Sequence, residues 1–179
     1  MLTTPTSRRP VSPGRRGVVV GARSSRGLPV LLLTVGLVGC ASEEVAIETP
    51  DLSAGDSAAC AALVDALPDT VAGELRRPVD PDDAPGAAWG DPPVVLTCGV
   101  GAPDDYQEAS TCISVRGVGW FATEDALEDL DSDVVLTALT VRPRVAVRVP
   151  PAHRGSDEVL TTLAKPLRKA LSRDGEDCL

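Results

Sequence analysis

The sequence predicts an α+β fold, a two-layer sandwich of an antiparallel sheet of about four strands with an N-terminal and a C-terminal helix. Apolar residues recur at helical spacing at Cys60, Leu63, Val64 and Leu67, and again at Leu160, Leu163, Ala164, Leu167 and Leu171. Between these stripes the period changes to two, most clearly at Val145, Val147 and Val149.

Residues 1–39 form a segment to be set aside before fold reasoning. Arg8, Arg9, Arg15, Arg16, Arg23 and Arg26 precede the apolar run Leu28–Gly39, and no acid interrupts them. That run is shorter than the roughly 20 residues needed to span a bilayer. It ends in Leu37-Val38-Gly39-Cys40. A small residue before a thiol at this place is the pattern of a lipoprotein signal peptide. Cys40 is the residue expected to carry a diacylglycerol and to become the first residue of the mature protein. Two acyl chains anchor stably where one does so only marginally. The membrane, through acyl chains on Cys40, is thus the first expected partner, and the expected location is its extracytoplasmic face.

Residues 40–55 mix Ser, Glu, Thr, Pro and Gly without periodicity. They predict a flexible tether of about 20 Å root-mean-square reach. A single globular domain is expected over residues 56–179.

In that domain Asp56 or Ser57 caps the first helix, and Pro68 stops it. Glu74–Val79 adds a candidate edge strand. Val94–Cys98 is a short strand between Pro93 and Gly99. Ile113 and Val115 alternate, then Val118 and Trp120 alternate in the opposite parity. The shift at Arg116-Gly117 predicts a bulge or tight turn. Val134–Val141 is the next strand, Arg142-Pro143 turns the chain, and Arg144–Pro150 is the last. In the final helix Ser156 is the expected cap. Asp157 and Glu158 suit the positive N-terminal turn, and Lys165, Arg168, Lys169 and Arg173 suit the C-terminal half. Pro166 interrupts the pattern and predicts a kink.

The residue usage narrows the function classes. There is no Asn, and Lys occurs only at positions 165 and 169 against fifteen Arg. This bias marks a GC-rich coding sequence, so the shortage of aromatics is not itself a chemical signal. Without residues 1–39 the chain has eleven basic and twenty-six acidic residues, a net charge of −15. Such a domain repels phosphate backbones, which argues against nucleic acid as a partner. With Cys40 committed to lipid, Cys60, Cys98, Cys112 and Cys178 remain, an even number that predicts two disulfides in an oxidising compartment. Their three pairings stay open. A zinc site lacks the Cys-x-x-Cys spacing it needs, and His153 is the sole histidine. No metal and no cofactor is expected.

Several segments resemble a known family in their order along the chain. They are Leu63–Val71, Arg76-Arg77-Pro78-Val79, Ala87-Ala88-Trp89-Gly90-Asp91-Pro92-Pro93 leading into Leu96-Thr97-Cys98-Gly99, Gly117–Trp120 and Val145–Pro150. This arrangement resembles the actinobacterial secreted and lipoprotein family catalogued as domain of unknown function 3515. The resemblance implies a single extracytoplasmic domain and a cysteine pair matching Cys60 and Cys98. Cys112 and Cys178 would then form an added second bridge. The rival pairing joins Cys98 to Cys112 across a hairpin and leaves Cys60 for Cys178.

Other constellations have bland and functional readings. Asp129, Asp131 and Asp133 open like a calcium loop, but Val134 stands where that loop needs Gly and Thr140 where it needs Glu. They are expected to form a solvated acidic turn. His153 lies three residues from Ser156 in the same loop, too close in sequence for a catalytic pair, and is expected to be exposed. Trp89 and Trp120 are expected in the core rather than lining a sugar or peptide groove. Arg142, Arg144 and Arg148 are expected to pair with carboxylates rather than bind an anion.

No catalytic residues are assigned. The expected function is a non-catalytic binding or scaffolding module on the outer face of the cytoplasmic membrane, with an envelope protein or wall polymer as partner. The alternative is a small carboxylate-dependent enzyme of cell-wall metabolism, using Asp91 with Asp104, Asp105 or Glu108.

Overall fold

The computed structural model describes residues 43–107, 110–155 and 157–175. Strand β1 (Val45–Ala46) comes first, followed by helix α1 (Ala54–Ala66). Strands β2 (Thr70–Val71), β3 (Glu74–Arg77), β4 (Val79–Asp80), β5 (Gly86–Trp89) and β6 (Val94–Cys98) follow. Then come β7 (Ile113–Val115), β8 (Val118–Phe121) and the short helix α2 (Glu124–Glu128). The chain continues with β9 (Val134–Ala138), β10 (Val141–Arg142), β11 (Val145–Val149), a 3-10 turn at Pro151–His153, α3 (Glu158–Ala170) and β12 (Ser172–Arg173).

The expected two-layer sandwich on about four strands is not what forms. The protein is mostly β, with an eight-stranded antiparallel sheet in the order β2-β3-β5-β6-β11-β9-β8-β7. Two further two-stranded sheets pair β1 with β4 and β10 with β12, and the three α-helices are short. Hairpins account for part of the excess. The parity shift at Arg116-Gly117 is a two-residue turn, with φ of 51° and 80°, so one apparent strand is two. Ala72-Gly73, with φ of 50° and 81°, closes the β2–β3 hairpin in the same way. Val134–Val141 also divides, because Val141 leaves the large sheet to pair with Arg173.

The main core lies where α1 and α3 meet the sheet. Cys60, Leu63 and Leu67 from the first helical region, and Leu160, Leu163 and Leu167 from α3, pack with Trp89, Leu96, Trp120, Val145 and Val147. Along β11 the valines are buried while Ala146 and Arg148 are half-exposed, as the period-two pattern predicts. Helix α3 continues through Pro166, which is buried with the apolar stripe. Its N-cap is Asp157, and Ser156 lies outside the described residues.

Helix α1 starts earlier than predicted. Ser53, not Asp56 or Ser57, is the N-cap, and its Oγ accepts from the Asp56 backbone N–H at 3.1 Å. The preceding residues also differ from a tether. Val45 and Ile47 are buried in a second cluster with Ala84, Ala88 and Val95. The Val45 N–H donates to Pro78 O and the Ile47 N–H to Asp80 O, both at 3.0 Å. From Glu43 onward the stretch predicted to be free is built into the domain. Ala88 and Val95 alternate with residues of the main core, so this cluster covers the other face of β5 and β6.

Cys60 and Cys98 are joined by a disulfide, with Cα atoms 5.7 Å apart. This ties α1 to the end of β6 and excludes the rival Cys98–Cys112 pairing. Cys112 is also disulfide-bonded. Cys178 lies outside the described residues, as does Cys40.

Candidate functional site

The sheet ends at two edges, and each carries a concave surface. At the β2–β3 edge a cleft of about 840 Å³ is lined by Glu43, Glu44, Glu74, Leu75, Arg77 and Asp91, among others. The local sequence explains its shape. Gly90 follows β5 at φ 78°, and a Cβ there would meet the Glu74 side chain at 2.8 Å. Glycine therefore lets the β5–β6 turn approach β3 closely. Arg77 crosses the cleft and ties three segments together. Its guanidinium donates to Glu43 O at 2.6 Å and to Gly90 O at 3.1 Å, and lies 3.7 Å from the Asp91 carboxylate. The Asp91 side chain is 91% exposed, so that ion pair is largely screened by water. Arg76 is committed to Val64 O at 3.4 Å. Leu75 projects outward and is 71% exposed.

At the β7 edge a groove of about 470 Å³ is lined by Ile113, Trp120, Phe121 and Leu127, with Asp105 and Glu124 contributing acidic groups. Ile113 is 41% exposed. The Tyr106 ring meets Phe121 edge-on at 5.4 Å. Trp120 is fully buried, and its Nε1–H has no hydrogen-bond acceptor among the described residues.

These two surfaces separate carboxylates that the alternative, enzymatic reading would pair. Asp91 lines the cleft and Asp105 lines the groove at the opposite edge. Asp104 is exposed beside Asp105, and Glu108 lies outside the described residues. Acid–base work at a glycosidic bond needs two carboxyls within about 10 Å across one bond. A pair of Asp91 with Asp105 does not provide that.

The other singled-out residues have local partners except Arg144, whose buried Nε meets no acceptor among the described residues, so the expected pairing with a carboxylate is not seen there. Arg148 pairs with Asp133 at 2.9 Å, and Arg142 pairs with Asp174. Arg144 is half-buried, and burial is the main cause that lowers its pKa from the ordinary arginine value. His153 is half-buried rather than exposed, with Nε2 3.2 Å from Pro92 O. Trp89 is fully buried, and its Nε1–H donates to Pro68 O at 3.0 Å.

The acidic loop after α2 contains an arrangement not foreseen from the sequence. Arg154 reaches into it and donates to the carbonyls of Ala126 at 2.6 Å, Leu127 at 3.2 Å and Ser132 at 2.9 Å, and also to Asp129 O. The guanidinium thus neutralises the C-terminal end of α2 and satisfies carbonyls that a helix end leaves unpaired. The Ser132 hydroxyl, and then the Asp131 backbone N–H, hold the Asp129 carboxyl below its ordinary pKa. Among the described residues no group of three or more His, Cys, Asp or Glu is arranged to hold a metal ion. Arg154→Ala is expected to lower stability by about 1–2 kcal/mol, because several charge-assisted bonds exchange for bonds to water. Urea unfolding checks this, and added calcium should not restore the loss.

The geometry defines a mostly β domain, cross-linked from helix to sheet, with concave surfaces at both sheet edges. The chain belongs to the family described as protein of unknown function (DUF3515), whose pattern matches residues 27–175. No curated protein and no solved structure matches it. Among the described residues no helix is long and apolar enough to cross a membrane.

Proposed function

We propose that the protein is anchored by a diacylglycerol on Cys40 to the outer face of the cytoplasmic membrane. There it serves as a non-catalytic binding or scaffolding module. The observation that carries this reading is Leu37-Val38-Gly39-Cys40 at the end of a short apolar run that follows an arginine-rich, acid-free leader. Two further facts support it. The family match begins at residue 27 and so takes in the apolar run and Cys40. The domain carries a disulfide, which suits an oxidising compartment. The binding role is supported by the two edge surfaces, and by the separation of Asp91 from Asp105.

Mass spectrometry of the N-terminal peptide tests the anchor. The expected result is a diacylglyceryl mass on Cys40. The Cys40→Ser variant is expected to accumulate as the precursor or to leave the membrane fraction. A variant that matures and fractionates like the parent overturns the anchor. For the binding role, a photo-crosslinker at position 113 in intact cells should capture a discrete envelope partner. That capture should be lost when Leu127→Asp is added, whereas crosslinking unaffected by the charge counts against the groove.

A further inference from the structure

The distance from Cys40 to the first built-in residue is short. Glu43 is fixed by the Arg77 guanidinium at 2.6 Å, and Val45 is held to Pro78. Three extended residues span at most about 11 Å. A domain of this length has a radius of gyration of about 14 Å. The connection is therefore too short to let the domain turn freely around its anchor, and the side that carries Glu43 must face the lipid.

We infer that the sheet stands with its β2–β3 edge against the headgroup layer of the bilayer and presents its β7 edge away from it. This rests on the proposed anchor at Cys40. The surface at the anchored edge fits that position. Leu75, the most exposed of the large apolar residues among those described, lines the same cleft as Glu43 and Glu44. An apolar side chain next to the attachment point gains by entering the boundary between headgroups and acyl chains. The carboxylates of Glu43, Glu44, Glu74 and Asp91 outnumber Arg76 and Arg77 in the lining, and both arginines are already engaged by the protein. This edge accordingly favours zwitterionic over anionic headgroups.

The other edge is remote. Six strand spacings separate β3 from β7, at most about 29 Å, measured along the sheet. The groove lined by Ile113, Phe121 and Leu127 is thereby held clear of the lipid, facing whatever lies further out in the envelope.

Fluorescence tests the orientation. The native Trp89 and Trp120 are fully buried and give a constant background. Full-length lipidated protein carrying Leu75→Trp, Glu44→Trp or Ser114→Trp is reconstituted into phosphatidylcholine vesicles doped with headgroup-nitroxide lipid. All three positions are exposed, so the substitutions leave the core intact. Given the six strand spacings between the two edges, the added emission at positions 75 and 44 should be quenched about twofold or more relative to that at position 114. Equal quenching at the three positions, or stronger quenching at 114, with the protein floating with the vesicles and Cys40 lipidated, overturns the orientation alone. A protein that neither floats nor carries the diacylglyceryl mass overturns the anchor, and the orientation with it.

Discussion

Removing the Cys60–Cys98 bridge, as Cys60→Ala with Cys98→Ala, is expected to lower stability by about 4 kcal/mol. The two residues are 38 apart in sequence. In the chain-entropy model a closed loop of that length restricts the unfolded chain by about 4 kcal/mol. The bridge also has an unusual place in the fold. It joins α1 to β6, and both cysteines are fully buried in the main core. Loss of the sulfur atoms leaves small voids there that add to the effect. The midpoint of thermal unfolding should fall by about 10–15 °C for a domain of this size. The double variant is preferable to reduction, because Cys112 is also disulfide-bonded and a reductant would open both bridges. A melting temperature unchanged from the parent would show that the cross-link restrains nothing that the packing does not already hold.

The sequence was informative where one element carries its own period. Helix α3 and strand β11 show an apolar repeat long enough to be seen, and the buried residues fall on it. Strand β5 has no such mark. Gly86, Ala87 and Ala88 are poor strand formers, yet all of β5 is buried because both its faces are covered. Ala87 and Trp89 face the main core, while Ala88 joins the cluster of Val45 and Ile47. The strand exists because of its neighbours, and local propensity carries no trace of that. The segment at Val45 did leave a weak signal. Val45 and Ile47 alternate with exposed Glu44, Ala46 and Glu48. Two apolar residues are too few to distinguish a strand from chance in a stretch rich in Ser, Glu and Pro.

The candidate surfaces were legible only in part. Cys40 and Asp91 stand in recognisable sequence contexts. Arg77 and Leu75 do not, since their importance depends on the register of β3 against β5 and on where the N-terminal segment runs. Register is a tertiary property, and a one-residue slip would exchange the buried and exposed sides of the strand. Arg154 illustrates the same limit. Its carbonyl partners come from α2 and the acidic loop, more than twenty residues earlier. The acidic turn itself could be anticipated, but not the cation that closes it.

Truncation of either tryptophan is expected to cost about 3–5 kcal/mol, the range for large aromatics in cores. Trp89 and Trp120 are the largest fully buried side chains of the described domain and belong to the same cluster as Leu63, Leu96 and Leu163. Trp89 packs beside the disulfide-bearing strand, and Trp120 lies opposite Ile113 and Ala138. Replacement by phenylalanine should separate the two. Trp89→Phe loses the bond from Nε1 to Pro68 O at 3.0 Å as well as ring volume. The Nε1–H of Trp120 is buried and has no acceptor among the described residues, so Trp120→Phe removes an unsatisfied donor together with the volume. The Trp89→Phe change should therefore be the more destabilising, by about 1 kcal/mol. Chemical denaturation of the four single variants measures the order. In the parent, emission should be blue-shifted and poorly quenched by iodide. Ready quenching of both indoles, with alanine variants that unfold like the parent, would place the tryptophans at the surface and refute their core packing. A reversed order for the phenylalanine variants would count against an unsatisfied indole N–H at Trp120.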